Sequence, residues 1–242
     1  MTASAPTILA TSGGIAPGTR SEFEFGKLVH YGVELAGVNG RRPRICHIGT
    51  ALGDQRANLA AYDEAARHAG FELTHCILFP MPNTAHLDDL LLSQDLIWVG
   101  GGSVANLLAV WGVHGLDSLL HRAWQSGIVL AGVSAGSLCW HVGGTTDSFG
   151  PELRPVTNGL AFLPFGNGVH YDSEARRRPM MQSLVADGSL PTSYATDDYV
   201  GLHYEGTTMV EAVAELPGRY AYLLEREGTR AHESQLPTRL LT

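Results

Sequence analysis

Short, nearly all-apolar runs recur along this 242-residue chain, and most are followed by a segment with helical spacing. Residues 6–10 read as a strand that empties into Thr11-Ser12-Gly13-Gly14, a loop signal. Phe25, Leu28, Val29 and Leu35 share one face of a helix predicted over 21–36 and closed by Gly37. A second strand spans 44–49. Asp54 is the predicted N-cap of an alanine-rich helix over 57–69, stopped by Gly70. Residues 71–79 form a third strand, followed by a Pro/Asn loop and a short helix over 87–92. The run 95–99 is a fourth strand, and it leads into Gly100-Gly101-Gly102-Ser103. Ser103 caps a helix with Leu107, Leu108 and Trp111 on one face, broken by Gly112 and Gly115. A further helical piece over 116–125 ends at Gly127, and 128–131 is again apolar.

Strands without polar alternation are buried on both faces, and intervening helices of about ten residues or more permit parallel pairing. The pattern predicts an α/β fold: a single doubly wound, mostly parallel sheet with helices on both faces. In such sheets sites lie at the carboxyl ends of the strands. Beyond residue 134 the pattern loosens. Residues 143–155 read as loop, 160–170 as an apolar segment around Gly166 and Gly168, and 174–185 as a helix. The stretch 192–215 alternates like strands, and 220–225 adds another. The last ten residues, 233–242, are polar, carry Pro237 and read as a flexible tail. With no linker or repeat, 1–242 is expected to be one domain.

Charge and composition narrow the chemistry. A net charge of −8 and a pI near 5.7 argue against a general nucleic-acid binder. The lone basic cluster, Arg176-Arg177-Arg178, is too short to alter that. Three cysteines without a CxxC pair suit a reducing, cytoplasmic setting. The first residues have neither a basic nor an apolar signal region, and no run approaches ~18 apolar residues, so no membrane association is expected. There is no HExxH and no paired Cys/His set, so neither a metal nor a cofactor is expected.

The apolar run at 128–131 enters Gly132-Val133-Ser134-Ala135-Gly136, a Gly-x-Ser-x-Gly turn. A strand leading into such a turn and then a helix pushes the serine out at a sharp corner, beside the backbone N–H groups of the helix start. Ser134 is therefore the candidate nucleophile. A serine needs a base, an acid behind the base, and donors for the oxyanion. Among eleven histidines, His170 ends an apolar segment and is the candidate base. His141 is read as lying on the helix after Ser134, pointing away. For the acid, Asp147 lies between serine and histidine in sequence, with Glu152, Asp172, Asp197 and Asp198 as rivals. Gly100-x-Gly102-x-x-Ala105 matches a dinucleotide fingerprint in weak form, but the next strand ends without the carboxylate that holds a ribose. A backbone loop beside Ser134, donating with Ala135 to an oxyanion, fits better.

Five segments carry a family resemblance. They are Leu-Ile-Trp-Val-Gly-Gly-Gly-Ser-Val-Ala-Asn (96–106), Ala-Gly-Val-Ser-Ala-Gly-Ser (131–137), Thr-Thr-Asp-Ser-Phe-Gly (145–150), Val-His-Tyr-Asp (169–172) and Tyr-Ala-Thr-Asp-Asp (194–198). In this order and spacing the chain resembles the peptidase E family, which comprises aspartyl dipeptidases and related serine hydrolases including the cyanophycinases. The resemblance implies a flavodoxin-like sheet akin to class I glutamine amidotransferases, with serine replacing cysteine. It implies Ser134 as nucleophile, His170 as base and Asp147 as third member, with Glu152 as an alternative. Gly101, Gly102 and Ala135 fall on the oxyanion-hole segment. Arg176 and Arg177 lie near the place of an arginine that binds an aspartyl side chain. The implied activity is hydrolysis of small peptides, Asp-X dipeptides among them; the chain itself is expected to be a monomer or homodimer. The alternatives are an esterase or cyanophycinase-like hydrolase on the same triad, and a non-catalytic nucleotide-binding module.

Overall fold

The computed structural model describes residues 3–19 and 21–242. In chain order its strands are β1 (Thr7–Thr11), β2 (Ile15–Pro17), β3 (Phe23–Phe25), β4 (Arg44–Ile48), β5 (Glu72–Cys76), β6 (Leu96–Val99), β7 (Val129–Val133) and β8 (His141–Thr146). They continue with β9 (Arg154–Val156), β10 (Leu163–Gly168), β11 (Ser193–Thr196), β12 (Val200–Glu205), β13 (Thr208–Ala214), β14 (Ala221–Glu227), β15 (Arg230–Leu236) and β16 (Thr238–Leu240). The helices are α1 (Lys27–Leu35), α2 (Arg56–Ala69), α3 (Leu87–Leu92), α4 (Val104–His114), α5 (Leu116–Gln125), α6 (Ala135–Leu138) and α7 (Arg177–Asp187).

The apolar runs of the first half pair as a parallel block in the order β5-β4-β6-β7-β1, extended by β12, β13 and β16. Successive side chains of these strands enter opposite cores. Leu9, Ile45, Leu96, Trp98 and Val129 pack with α1 and α2 on one face. Ile8, Cys46, Ile97, Val99 and Leu130 pack with α4 and α5 on the other. Helices thus cover both faces, as the unbroken hydrophobicity of these strands requires.

The expectation of a single sheet does not hold. After Ser134 the chain leaves the main sheet, because α6 is one turn long and β8 begins at His141. His141 is therefore in a strand and not on a helix. β8 opens a second, six-stranded sheet in the order β15-β14-β11-β10-β8-β9. Residues 143–146, read as loop, are part of β8. A Cβ at Gly143 would stand 2.0 Å from the Val156 carbonyl oxygen, so its glycine marks close backbone approach rather than a turn.

Three smaller expectations are also corrected. The helix predicted over 21–36 begins at Lys27, since Phe23 and Phe25 alternate about Glu24 and pair as β3 with β2. Asp54 does not cap α2, whose N-cap is Gln55. Its buried carboxylate instead accepts the amides of Leu78 at 2.6 Å and Phe79 at 3.0 Å. Residues 233–242 are not a tail. They complete β15 and form β16, which pairs in parallel with β13, while Leu241 is buried and Arg239 donates twice to Glu211. Their polarity reflects edge strands with one wet face. Among the described residues no helix is long and apolar enough to cross a membrane.

Candidate active site

Ser134 follows β7 directly and has φ 57° and ψ −110°, a left-handed backbone that non-glycine residues seldom adopt. The flanking glycines make the corner possible, because a Cβ at Gly136 would stand 2.2 Å from the Val99 carbonyl oxygen. The amide of Ser134 donates to Thr11 O at 3.0 Å, tying the corner to the end of β1. Among the described residues, the amides of Gly101, Gly102 and Ala135 have no hydrogen-bond acceptor. Gly101 lies against Ser134: a Cβ there would sit 3.4 Å from Ser134 Cβ. Unpaired donors near a half-buried serine that lines a pocket suit a developing oxyanion.

His170 lies two residues past β10 and also has a positive φ, 54°. Its Nδ1–H donates to Asp198 Oδ1 at 2.6 Å, a short charge-assisted bond between side chains 23% and 28% exposed. Pairing register explains the meeting. β10 runs between β8 and β11, with Asn167 opposite Gly144 and Gly168 opposite Ala195. His170 is thus flanked by the loop carrying Asp147 on one side and the loop carrying Asp198 on the other. Asp147, expected as the acid, is exposed and makes no hydrogen bond to His170 among the described residues. Glu152 is exposed as well. Asp198 is held in turn, its amide donating to Asp172 Oδ1 at 2.8 Å while Asp172 pairs with Arg219. Asp197 turns away, accepting the Tyr220 amide at 3.0 Å, and burial pushes its carboxyl up from the ordinary range.

Ser134 and His170 share the wall of a pocket of about 310 Å³ with Gly102, Asp147, Glu174 and Arg177. A larger groove of about 750 Å³ beside α4 and α5 contains neither residue.

Residues 9–212 match the sequence profile of peptidase family S51. The chain belongs to peptidase family S51. An uncharacterized peptidase, YgaJ, from Bacillus subtilis (strain 168) is 36% identical over 200 residues, covering 83% of this chain and 86% of YgaJ. Among solved structures, a peptidase from an acI-B1 Actinobacterium superposes with a TM-score of 0.70 at 17% identity, covering 97% of this chain and 95% of that one. A protein from Listeria monocytogenes EGD-e assigned to peptidase E gives a TM-score of 0.62 at 17% identity, with 86% and 98% covered. The chain is thus a peptidase with a mixed α/β fold built on a large parallel-rich sheet.

The remaining groups of this S51 peptidase divide sharply. Arg177 is in the pocket wall, but its side chain is only 3% exposed and largely committed. Its Nε donates to Glu174 Oε2 at 2.8 Å and its Nη1 to the Thr145 carbonyl. Arg176, also expected at the substrate, is exposed outside that wall and donates to Pro151 O at 2.8 Å. His141 is fully buried on Ser137 O, and burial lowers its pKa to about 4, which keeps it neutral and structural. No group of three or more His, Cys, Asp or Glu side chains among the described residues could hold a metal ion.

Proposed function

We propose that this S51 peptidase is a serine hydrolase that cleaves small peptides through Ser134, His170 and Asp198. The observation that carries this reading is the 2.6 Å bond from Nδ1 to Asp198 on a histidine sharing one pocket with an elbow serine. With Nδ1–H donated to a carboxylate, the neutral ring keeps its lone pair on Nε2, the tautomer a general base needs. Nε2 takes the Ser134 proton as Oγ attacks the scissile carbonyl. The amides of Gly101, Gly102 and Ala135 donate to the oxyanion. The imidazolium, stabilised by Asp198, returns its proton to the leaving amine, and water then hydrolyses the acyl-enzyme with His170 again as base.

A pocket of about 310 Å³ has room for one or two residues of a peptide beside Ser134. Its single guanidinium already serves Glu174 and Thr145, so an aspartyl side chain would compete with Glu174 for it. Peptides with a neutral first residue are therefore the better substrates. A fluorophosphonate probe and a dipeptide panel test the reading. The probe labels wild-type protein but not Ser134→Ala, and Leu-X is hydrolysed faster than Asp-X. Absence of labelling in folded protein, together with a wild-type rate for Ser134→Ala, refutes the serine mechanism. A faster rate on Asp-X overturns the assignment of substrate alone.

A further inference from the structure

Among the described residues, five other than glycine have a left-handed backbone: Asp54, Ser134, Ala161, His170 and Tyr199. Three of these surround the site, and all three donate their amides to the same two residues at the end of β1. Ser134 N–H reaches Thr11 O at 3.0 Å, Tyr199 N–H reaches Ser12 O at 2.9 Å, and His170 N–H reaches Ser12 Oγ at 3.3 Å. A strained backbone persists only where its surroundings over-determine it. Here one dipeptide does so for the nucleophile, the histidine and the residue after the acid. Ser12 also donates its own amide to Val200 O at 2.8 Å, and its hydroxyl meets Thr196 Oγ1 at 2.6 Å. It is 4% exposed and touches the chain on both sides of Asp198.

Two of the three anchors are main-chain carbonyls, which any residue would supply. The link to His170 is different, because only a side-chain oxygen can make it. We propose that Ser12 is a positioning residue of the catalytic apparatus, its hydroxyl holding the His170 backbone so that the ring faces Asp198 on one side and Ser134 on the other. This rests on reading Ser134, His170 and Asp198 as the reacting set. Without the hydroxyl, the His170 amide loses its acceptor and φ is free to relax. The imidazole, several bonds from Cα, then swings out of line, and a displacement of about 1 Å in a reacting group costs up to about 100-fold in rate.

Hydrogen exchange and steady-state kinetics test the proposal. The His170 amide is protected in wild-type protein and loses protection in Ser12→Ala. In Ser12→Ala, kcat falls about 10- to 100-fold, and in Ser12→Cys, whose sulfur is a weak acceptor of similar size, about 3- to 10-fold. KM stays within about 2-fold in both. Leu120→Ala in the buried face of α5 controls for lost stability and keeps kcat within about 2-fold below its own melting point. Wild-type kcat in folded Ser12→Cys, a change in KM instead of kcat, or an unprotected His170 amide in the wild type overturns the proposal. Should Ser12→Ala fail to fold, Ser12→Cys and wild-type exchange decide. Full activity in Ser134→Ala overturns the site reading together with this proposal. Inactive Ser134→Ala beside wild-type Ser12→Cys overturns this proposal alone.

Discussion

Replacing Asp198 with Asn removes one charge and leaves the shape of the site almost unchanged. The Asp198 backbone keeps its bond to Asp172, which involves the amide and not the side chain. Two losses follow. The first is the charge-assisted bond to His170 Nδ1 at 2.6 Å, about 1.5–3 kcal/mol, or about 10- to 150-fold in the step that builds the imidazolium. Both side chains are less than a third exposed, so solvent screening trims this only modestly. The second concerns the tautomer. An asparagine can present its NH2 to Nδ1, which moves the ring proton to Nε2 and leaves no lone pair for the serine; in a Ser-His-Asp triad this substitution costs about 10⁴-fold. The expected loss in kcat is thus about 10²- to 10⁴-fold, with KM little changed. The assay is steady-state hydrolysis of a Leu-X dipeptide at pH 7.5, with the rate of fluorophosphonate labelling at Ser134 as a second, substrate-independent measure. Asp147→Asn, run in parallel, stays within about 3-fold, because Asp147 is an exposed pocket residue with no bond to the ring. Near-normal turnover in Asp198→Asn beside a collapse in Asp147→Asn would refute the reasoning and return the acid to the loop after β8.

Three further outcomes are expected. Arg239 donates two hydrogen bonds to Glu211 and Tyr31 donates another, holding the Glu211 carboxyl at about 2 against an ordinary 4.5. A folded-state pKa below the unfolded one contributes stability that is complete above about 4.5 and lost as pH falls through about 2. Because Arg239 is half exposed, the contribution is about 1–2 kcal/mol, and Glu211→Gln lowers Tm by about 2–8 °C at pH 7. The gap narrows below pH 4.5, and a pH-independent difference would show that the pair does not pin β16. Gly102 has φ 130°, and a Cβ there would stand 2.5 Å from the Ala51 carbonyl oxygen. Gly102→Ala must shift the donor loop and lowers kcat about 10- to 1000-fold; a wild-type kcat would place the oxyanion elsewhere. Arg177→Ala strands the carbonyl of buried Thr145, costing about 1–3 kcal/mol in thermal denaturation, whereas Arg176→Ala leaves kcat/KM within about 2-fold. Equal melting temperatures for wild type and Arg177→Ala would remove Arg177 as a clamp.

Local signals read well where they depend on neighbours in sequence. The apolar runs of β4, β6 and β7 need burial on both faces, and they have it. Ser103 accepts the Asn106 amide at 3.2 Å as the predicted cap of α4, and α3 and α5 span the residues expected. The elbow was legible because glycine is demanded at Gly136 by the backbone of β6. Readings failed where one residue type serves two geometries. The glycine at 143 looked like a loop and is a strand pressed against its neighbour; residues 233–242 looked like a tail, yet they complete β15 and form β16, two edge strands.

By itself the sequence determined that apolar strands alternate with helices around a Gly-x-Ser-x-Gly corner, and that His170 ends a later apolar segment. Those features arise from backbone sterics and hydrophobic periodicity, which act over a few residues. Tertiary structure alone decided which acid meets His170. The loops carrying Asp147 and Asp198 leave the two neighbours of β10 at nearly the same level, so spacing does not distinguish them. The ring turns to Asp198 through a left-handed backbone at His170, whose amide bonds a residue 158 positions earlier in the chain. A contact of that range follows from packing two sheets together, and no local pattern encodes it.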